Sequence, residues 1–447
     1  MLRRYFTKIF REIKYQKLKI AFVLSIAFIY KLGFSNKQEL LPNKTINFLD
    51  ENVQTFDYLN QYKRIKSFKE QFVYTSKWKK VLSKQRNLRY NQSKDFLILE
   101  YTKIFSSTKY CQKFGADQFD QNTNFESVKR KLFLNECQFT NCVFSCDKRR
   151  LNEANALIFH QADLEVLVQE DRLYLENLRM SLKQREEQIW ILWNDEANRV
   201  NKDLDEFGFN WTMSYRTDSE ISDCSYGCIY RKINKDEENF YQKVKKYFDF
   251  KRNSAVWFVS NCESKFRISF AKSLREYFPV EIFGACSVYF RSFFDRLFGE
   301  SKKCTRDSGC EYEKLISNKF YLSFESKNCS NYLTEKVWKM LHIGIIPVVI
   351  QPSKQFYELN LPPNSFIHAQ DFNFEPEKLA TYLEFVSNDF DAFYSYLKWK
   401  LDYQVVFSAF QTERRRLCEL CTKLNNEDSI IFYTNVSEFF NHQCIIN

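Results

Sequence analysis

Short runs of apolar residues alternate with helical stretches along most of the chain, and this alternation constrains the fold more than any other feature. The first three runs predict buried strands at Asp95–Tyr101, Ala154–His160 and Ile189–Trp193. Residues 163–187, between the second and third runs, are rich in leucine and charge and predict a helix. Strands that alternate with helices are typical of an α/β layer.

The alternation begins again after Lys251, and a charged segment near 231–252 separates the two blocks. The second block predicts the following strands and helices: Ser254–Ser260, Val280–Phe283, Lys319–Phe324, Ile345–Ile350 and a last strand beginning at Ser365–His368, with helices at Phe266–Tyr277 and Thr334–His342. Two such blocks predict twin Rossmann-like domains that face a cleft, over residues 94–240 and 250–405, followed by a C-terminal segment at 406–447.

Glycine is scarce, with 8 residues in 447, and neither a G-x-G-x-x-G nor a P-loop motif is present. Gly-rich loops are the usual means by which α/β folds cradle phosphates. If a nucleotide binds, side chains must therefore carry much of the phosphate recognition.

The net charge of +11 belongs to the N-terminal part of the chain. Residues 1–90 hold 20 of the 67 Lys and Arg residues but only 6 of the 56 Asp and Glu residues, so the remainder is slightly acidic. A nucleic-acid enzyme carries its positive charge on the folded domain. This distribution argues against a nucleic-acid partner.

The N-terminus has the pattern of a signal-anchor. Residues 1–19 are basic and predict a cytoplasmic tail, and the apolar stretch 18–34 predicts a transmembrane helix that binds the lipid bilayer. Residues 35–93 predict a stem, and the folded mass then lies in the lumen. Two alternatives remain open, namely a cleaved signal peptide with Gly33 and Ser35 at the cut site and a buried helix of a soluble protein.

The chain has 14 Cys but only 4 His. Many cysteines favour an oxidising compartment with several disulfides, whereas few histidines argue against a catalytic zinc site. Buried free thiols of a cytosolic protein are the alternative. Lumenal placement is also supported by N-x-S/T sequons, which occur at Asn43, Asn91, Asn210, Asn328 and Asn435.

Residues 319–372 carry the most specific pattern. A predicted strand ends at Phe324, and a loop leads into a helix for which Thr334 is a suitable N-cap. A helix N-terminus favours anions, and Lys336 adds a positive charge there. This pattern predicts a diphosphate site built without glycine-rich loops, although a capped surface helix would show the same local features.

The motifs of this stretch resemble the signature of the α-1,3-fucosyltransferases, glycosyltransferase family 10. The matching segments are Phe324-Glu325-Ser326, Tyr332-Leu333-Thr334-Glu335-Lys336, Pro347-Val348-Val349, Pro362-Pro363-Asn364-Ser365-Phe366-Ile367 and Asp371-Phe372. Ser326 and Asn331 depart from the family's usual Asn and Asp. Weaker likeness extends over roughly residues 95–425 and includes Cys418 and Cys421. The resemblance implies a GT-B-like fold and a Golgi location as a single-pass type II membrane protein.

Three features resemble the branch of the family that modifies the N-glycan core: Cys262 after Ser-Asn, the Cys304 and Cys310 pair, and Cys329 before the Tyr-x-Thr-Glu-Lys motif. The alternative is that these cysteines are incidental thiols, because the sequence does not specify which cysteines are bonded to each other. The resemblance implies inverting transfer of fucose from GDP-β-L-fucose to an N-acetylglucosamine hydroxyl of a glycoprotein glycan, in α-1,3 linkage.

The leaving group of such a transfer is a diphosphate, so cations must take up its developing charge. Arg267 and Lys336 are the expected cations, since arginine suits bidentate phosphate contact and lysine acts as a point charge. No divalent metal is then required. The aspartate pairs with D-x-D spacing at residues 203–205 and 389–391 are not assigned a metal ion.

The resemblance implies further donor contacts. Tyr332 is expected to stack on or bond to the nucleotide, and Glu335 to bind the donor through ribose hydroxyls. Glu325 is expected near the sugar, where it holds fucose hydroxyls or favours the oxocarbenium-like transition state, and Asn261 shapes the donor loop.

Inversion needs one base on the acceptor side. Glu196 aligns best with the glutamate of the family's E-[SA]-P loop, although the proline is missing and Asp195 lies beside it. A solvent-facing acidic pair is the alternative. Two other functions stay open, namely an inactive membrane-tethered glycan-binding protein on this fold and a transferase that uses another nucleotide sugar.

Overall fold

The computed structural model describes residues 79–85, 95–103, 137–171, 188–231, 236–290, 304–407, 409–427, 429–442 and 444–445, with the isolated positions 173 and 177. The predicted cytoplasmic tail, the predicted transmembrane helix at 18–34 and most of the predicted stem lie outside these residues. Among the helices that are described, none has the length and apolar character needed to span a bilayer.

The strands, in chain order, are β1 (Lys79–Gln85), β2 (Phe96–Glu100), β3 (Cys142–Ser145), β4 (Ala156–His160), β5 (Ile189–Asn194), β6 (Trp211–Ser214), β7 (Cys228–Arg231), β8 (Arg252–Phe258), β9 (Val280–Phe283), β10 (Asn318–Leu322), β11 (Asn328–Cys329), β12 (Ile346–Val349), β13 (Ile367–His368), β14 (Tyr403–Val406), β15 (Ser429–Tyr433) and β16 (Cys444–Ile445). The helices are α1 (Gln161–Glu170), α2 (Glu237–Phe250), α3 (Lys265–Tyr277), α4 (Gly309–Ser317), α5 (Glu335–Ile343), α6 (Lys354–Asn360), α7 (Pro376–Asn388), α8 (Phe390–Ser395), α9 (Ala409–Asn426) and α10 (Val436–Asn441).

Two five-stranded sheets form the centre of the fold, and the pairing within each is parallel throughout. The strand orders are β3-β2-β4-β5-β6 and β13-β12-β10-β8-β9. If the five strands of each sheet are numbered in chain order, both sheets have the same order. The second strand lies at one edge, the first strand lies next to it, and the third, fourth and fifth strands follow toward the other edge. In doubly wound proteins with this strand order, ligands bind at the carboxyl ends of the strands.

Both faces of the first sheet are covered, which explains its continuous apolar strands. In β4, Leu157 and Phe159 pack into one core cluster, whereas Ala156 and Ile158 pack into another on the opposite face. The C-terminal segment supplies part of each cover, because α10 contributes to the first cluster and α9 to the second. These two helices of the C-terminal segment therefore return to the first sheet.

The predicted buried strands of both blocks are present, and Thr334 is the N-cap of α5 as the sequence indicates. The charged segment near 231–252 contains α2, whose apolar side buries Val244. The strand β1 lies within the segment predicted to be a stem, and it pairs antiparallel with β15. Short strands such as β3 and β6 carry too few residues for their pattern to stand out in the sequence.

The prediction of several disulfides is confirmed. Among the described residues the bonded pairs are Cys137–Cys418, Cys142–Cys421, Cys224–Cys228, Cys262–Cys286, Cys304–Cys310 and Cys329–Cys444. The C-terminal cysteines of α9 bond to the first half of the chain rather than to each other. The last pair joins β11 to β16, which are also hydrogen-bonded partners.

Candidate active site

A buried carboxylate lies just beyond the carboxyl end of β10. Glu325 has no solvent exposure, and its Oε1 accepts from the backbone nitrogen of Thr334 at 2.9 Å. The Thr334 hydroxyl lies 2.8 and 2.9 Å from the two carboxylate oxygens. Burial raises the pKa of Glu325, whereas the charge of Lys336 opposes that shift. The carboxylate is thereby tied to the first turn of α5.

Lys336 projects from that same turn. Its Nζ donates to Glu325 Oε2 at 3.1 Å and to Thr334 Oγ1 at 2.8 Å, and it lies 3.6 Å from Glu335. Burial disfavours the ammonium, but the two carboxylates outweigh burial and raise the pKa of Lys336. A permanent cation therefore stands at a helix N-terminus, which also favours anions.

Arg267 in α3 reaches the same end of the sheet. The side chain is buried, with Nη1 donating to the carbonyl oxygen of Phe324 at 2.9 Å and Nη2 to that of Asn261. The charge of Arg267 disfavours protonation of Lys336, so the two cations lie close enough to repel each other. They flank Glu325, and a dianionic diphosphate would relieve their repulsion.

Two more of the predicted donor residues lie at this edge. The Asn261 side chain is exposed and accepts from the backbone nitrogen of Glu263 at 3.0 Å, which shapes the loop after β8. Glu335 pairs with Arg306, a residue of the loop closed by the Cys304–Cys310 disulfide. Burial opposes the charge of Glu335, but Lys336 and Arg306 hold its pKa below the usual range.

Tyr332 connects this group to the first sheet. Its ring is buried beside Tyr215 and Tyr226, and its hydroxyl donates to Glu196 Oε2 at 3.0 Å. Burial raises the pKa of Tyr332, and the carboxylates of Glu325 and Glu196 raise it further, so the phenol stays protonated. The hydrogen bond joins residues 136 positions apart and brings Glu196 to the group around Lys336.

Asp195 and Glu196 follow β5 but differ in their surroundings. Asp195 accepts from both terminal nitrogens of Arg416, at 2.5 and 2.8 Å, and from the indole nitrogen of Trp193 at 2.6 Å. Glu196 is half-buried and accepts from Tyr332, with Tyr226 at 3.5 Å from its other oxygen. A carboxylate offers about four acceptor positions, so Glu196 retains room for an incoming hydroxyl.

Three residues of this region were not singled out from the sequence. Arg306 and Arg416 carry no local motif, because each acts on a carboxylate that is distant along the chain. Gln351 follows β12, and its amide nitrogen donates to the carbonyl oxygen of Glu325 at 3.2 Å. Its position directly after a predicted strand of a parallel sheet was the one available signal.

No group of three or more His, Cys, Asp and Glu side chains within the described ranges is arranged to hold a metal ion. In the first D-x-D pair, Asp205 accepts from the backbone nitrogen and hydroxyl of Ser437, and the Asp203 carboxylate accepts from the side-chain amide of the N-cap Asn201 at 3.2 Å. In the second pair, Asp389 caps α8. Asp203, Asp205 and Asp389 thus make structural hydrogen bonds.

Curated relatives of this chain are fucosyltransferases. Glycoprotein 3-alpha-L-fucosyltransferase A of Drosophila melanogaster is 30% identical over 240 residues, which are 52% of this chain and 43% of that enzyme. The match thus spans less than half of the Drosophila protein. Alpha-(1,3)-fucosyltransferase fut-6 of Caenorhabditis elegans is 28% identical over 301 residues, 65% of this chain and 69% of that protein.

Among solved structures, a crystal structure of alpha1,3-fucosyltransferase with GDP-fucose covers 78% of this chain and 93% of its own, at 13% identity and a TM-score of 0.41. Two family descriptions match consecutive parts of the sequence. "Fucosyltransferase, N-terminal" matches residues 93–227, and "Glycosyltransferase family 10 (fucosyltransferase) C-term" matches residues 248–439. Together they cover both parallel sheets and most of the chain, which therefore belongs to glycosyltransferase family 10, the fucosyltransferases.

Proposed function

We propose that this chain transfers L-fucose from GDP-β-L-fucose to an N-acetylglucosamine hydroxyl of a glycoprotein glycan, in α-1,3 linkage and with inversion. One observation supports this most directly: the hydrogen bond between Tyr332 and Glu196 brings a carboxylate that follows the first sheet to the loop that leads into Lys336. A displacement requires a base and a leaving-group site near each other, and this contact supports that assignment.

In the proposed mechanism, Glu196 takes the proton of the acceptor hydroxyl as its oxygen attacks the anomeric carbon of fucose. The bond from that carbon to the β-phosphate oxygen breaks on the opposite face, so a β-linked donor gives an α-linked product. Arg267 and Lys336 stabilise the negative charge that develops on the departing GDP. These two cations can neutralise the charge of the departing diphosphate, so we propose that no divalent metal is essential.

The GT-B arrangement is part of the proposal. Two doubly wound sheets of the same order, one carrying the base and the other the cations, fit a fold in which acceptor and donor domains face a cleft. We assign residues 94–240 to the acceptor side and residues 250–405 to GDP-fucose. We also propose a Golgi-lumenal catalytic part with the membrane anchor at 18–34, and the disulfides support an oxidising compartment.

The core of an N-glycan is the proposed acceptor. The Drosophila relative is named a glycoprotein fucosyltransferase. The cysteines that suggested this branch are bonded as Cys262–Cys286, Cys304–Cys310 and Cys329–Cys444. Each bond lies near a predicted donor residue, since Cys262 follows Asn261, the loop of the second bond carries the Arg306 partner of Glu335, and Cys329 packs with Tyr332. Competition between core glycans and antennary N-acetyllactosamine glycans tests the acceptor, because an antennary enzyme would fucosylate only the second set.

Transfer itself is tested with the full chain purified in detergent, GDP-fucose and defined N-glycans, followed by mass spectrometry. We expect Glu196→Gln to retain GDP-fucose binding and lose turnover. Glu377→Gln, on an exposed position of α7, is the matched control and should retain full activity. Binding of glycan without any transfer would favour the tethered glycan-binding alternative, and turnover of another nucleotide sugar in place of GDP-fucose would refute the donor assignment.

The metal prediction has its own test. Activity in excess EDTA should equal activity in MgCl₂ and MnCl₂ if Arg267 and Lys336 neutralise the diphosphate. Loss of activity in EDTA that is restored by a divalent cation would contradict this part of the proposal.

A further inference from the structure

Two adjacent carboxylates follow β5, although the proposed reaction uses only one of them. Asp195 and Glu196 are neighbours in sequence. As a general rule, an uncompensated like charge beside a carboxylate disfavours its ionisation. A base that works near neutral pH is therefore sensitive to whether its neighbour is neutralised. The residue that neutralises Asp195 comes from the far end of the chain.

Arg416 in α9 forms a two-pronged pair with Asp195. Its Nη1 donates to Oδ2 at 2.5 Å and its Nη2 to Oδ1 at 2.8 Å, while the side chains are 3% and 17% exposed. This fork geometry is the strongest form of the arginine–carboxylate contact, and it restricts the carboxylate to one orientation. The indole of Trp193 adds a third donor to Oδ2 at 2.6 Å.

The backbone of the loop is held as well. The carbonyl oxygen of Asp195 accepts from the Tyr226 hydroxyl at 2.7 Å, and the backbone nitrogen of Glu196 donates to Asn194 Oδ1 at 3.2 Å. With the Asp195 side chain fixed by Arg416, Glu196 can reorient only about its own side-chain bonds. Its carboxylate is consequently directed toward Tyr332.

Helix α9 is anchored to the first sheet next to this loop. Cys418 is bonded to Cys137 and Cys421 to Cys142, so disulfides follow Arg416 at two and five residues along the chain. The Glu419 carboxylate also accepts from two consecutive backbone nitrogens, those of Ser222 at 2.8 Å and Asp223 at 2.7 Å. The guanidinium is thus presented by a helix with little freedom to move.

We propose that Arg416 is a positioning residue of the transfer reaction, which neutralises and fixes Asp195 so that Glu196 is the carboxylate that accepts the proton. The inference rests on the proposed function, since it assumes that Glu196 is the base. It assigns to the C-terminal helix, which lies outside both predicted sugar-binding domains, a direct effect on the chemistry of the acceptor side.

Among the residues that the structure describes, the other titratable groups near Glu196 named below have a partner or stay neutral. Burial keeps the neighbouring phenols protonated, since it raises the pKa of Tyr215 to about 12 and those of Tyr226 and Tyr332 well above the ordinary value. The charged groups near these phenols form ion pairs: Arg216 with Asp218, Glu325 with Lys336, and Glu335 with Arg306 and Lys336. His160 packs against Trp193 and contacts Asp163. The ion pair of Arg416 with Asp195, the residue next to Glu196, is therefore the one chosen for substitution.

The test compares the pH dependence of kcat in single and double variants. Arg416→Gln leaves the Asp195 charge uncompensated, so the acid limb of the profile should move up by about one pH unit, with kcat reduced about 10- to 100-fold. Asp195→Asn leaves the cation uncompensated and should move the acid limb down. The double variant should return the limb to its original place, because both charges are absent.

The matched control is Arg415→Gln, which removes a buried ion pair with Asp223 from the same helix. It should not move the acid limb or the GDP dissociation constant, whatever it does to thermal stability. An unshifted profile in Arg416→Gln, or an equal shift in Arg415→Gln, would overturn the proposal. If Arg416→Gln does not fold, an Asp195→Asn profile that fails to move downward overturns it alone.

Failure of the proposed function is recognised separately. Full turnover by Glu196→Gln would remove Glu196 as the base, and the positioning proposal would fall with it. Loss of turnover in Glu196→Gln together with unshifted profiles in the Arg416 and Asp195 variants would reject only the positioning role.

Discussion

Replacement of Lys336 by methionine tests the electrostatics of the donor site most sharply. The substitution retains the length of the side chain but removes the cation that lies 3.1 Å from Glu325. Glu325 has no solvent exposure, so in the variant the backbone nitrogen and hydroxyl of Thr334 remain as hydrogen-bond donors, and Arg267 remains as a nearby cation. The variant therefore contains a buried carboxylate that has lost the cation in direct contact with it.

Loss of one partner of a buried ion pair costs about 3–5 kcal/mol. The Lys336 side chain is 21% exposed and Thr334 keeps its hydrogen bonds, so we expect a cost at or just below the lower end of that range, about 2–3 kcal/mol at pH 7.5. Burial already raises the pKa of Glu325 in the folded protein, and loss of the lysine raises it further. A carboxyl group whose folded pKa exceeds its unfolded pKa costs stability at high pH, and that cost vanishes as pH falls toward the unfolded value.

The assay is thermal unfolding of parent and variant at the same heating rate at pH 5, 6 and 7.5. We expect the gap in Tm between them to be several degrees at pH 7.5 and to narrow toward pH 5. The control is the double variant Glu325→Gln with Lys336→Met, whose gap should depend less on pH than that of the single variant because the buried Glu325 carboxylate is absent. A gap of equal size at all three pH values in the single variant would refute the reasoning.

The same variant measures the contribution of Lys336 to donor binding. A charge-assisted contact with the diphosphate should be lost, so we expect the dissociation constant of GDP, measured by calorimetry at pH 7.5, to rise about 10- to 100-fold. An unaltered dissociation constant would show that Lys336 does not contact the nucleotide.

Three further predictions concern single substitutions. Gly227→Ala should destabilise the fold by about 1–3 kcal/mol, because the new Cβ would lie 2.3 Å from the indole of Trp338, whereas Gly309→Ala has open space and should leave Tm unchanged. Burial, aided by a nearby lysine charge, lowers the pKa of Lys251 to about 7, so folding stability should rise with pH above about 7 and Lys251→Met should flatten that rise in thermal unfolding. Tyr332→Phe retains the ring but not the hydrogen bond to the proposed base, so kcat should fall about tenfold in steady-state assays while GDP affinity is retained.

The local patterns of the sequence were sufficient to predict the parts of the fold that depend on near neighbours. Buried strands such as β4 and β5 are recognisable in the sequence because a strand covered on both faces needs a continuous apolar run. The N-cap Thr334 and the cation at Lys336 belong to one turn, so their spacing already specified which backbone and side-chain groups would meet. The predicted donor residues Arg267, Glu325 and Lys336 come together for the same reason, since each follows the carboxyl end of a parallel strand or opens the next helix.

Contacts between distant parts of the chain were decided by the tertiary structure alone. The partner of Asp195 is 221 residues away in α9, and the disulfide that anchors this helix joins cysteines separated by 281 residues. Apolar periodicity reports whether a segment is buried, but it does not report which buried segment it meets, because that depends on the path of the chain. The folded molecule alone therefore gives Glu196 and its neighbour different surroundings, by placing a guanidinium against one carboxylate and a phenol against the other.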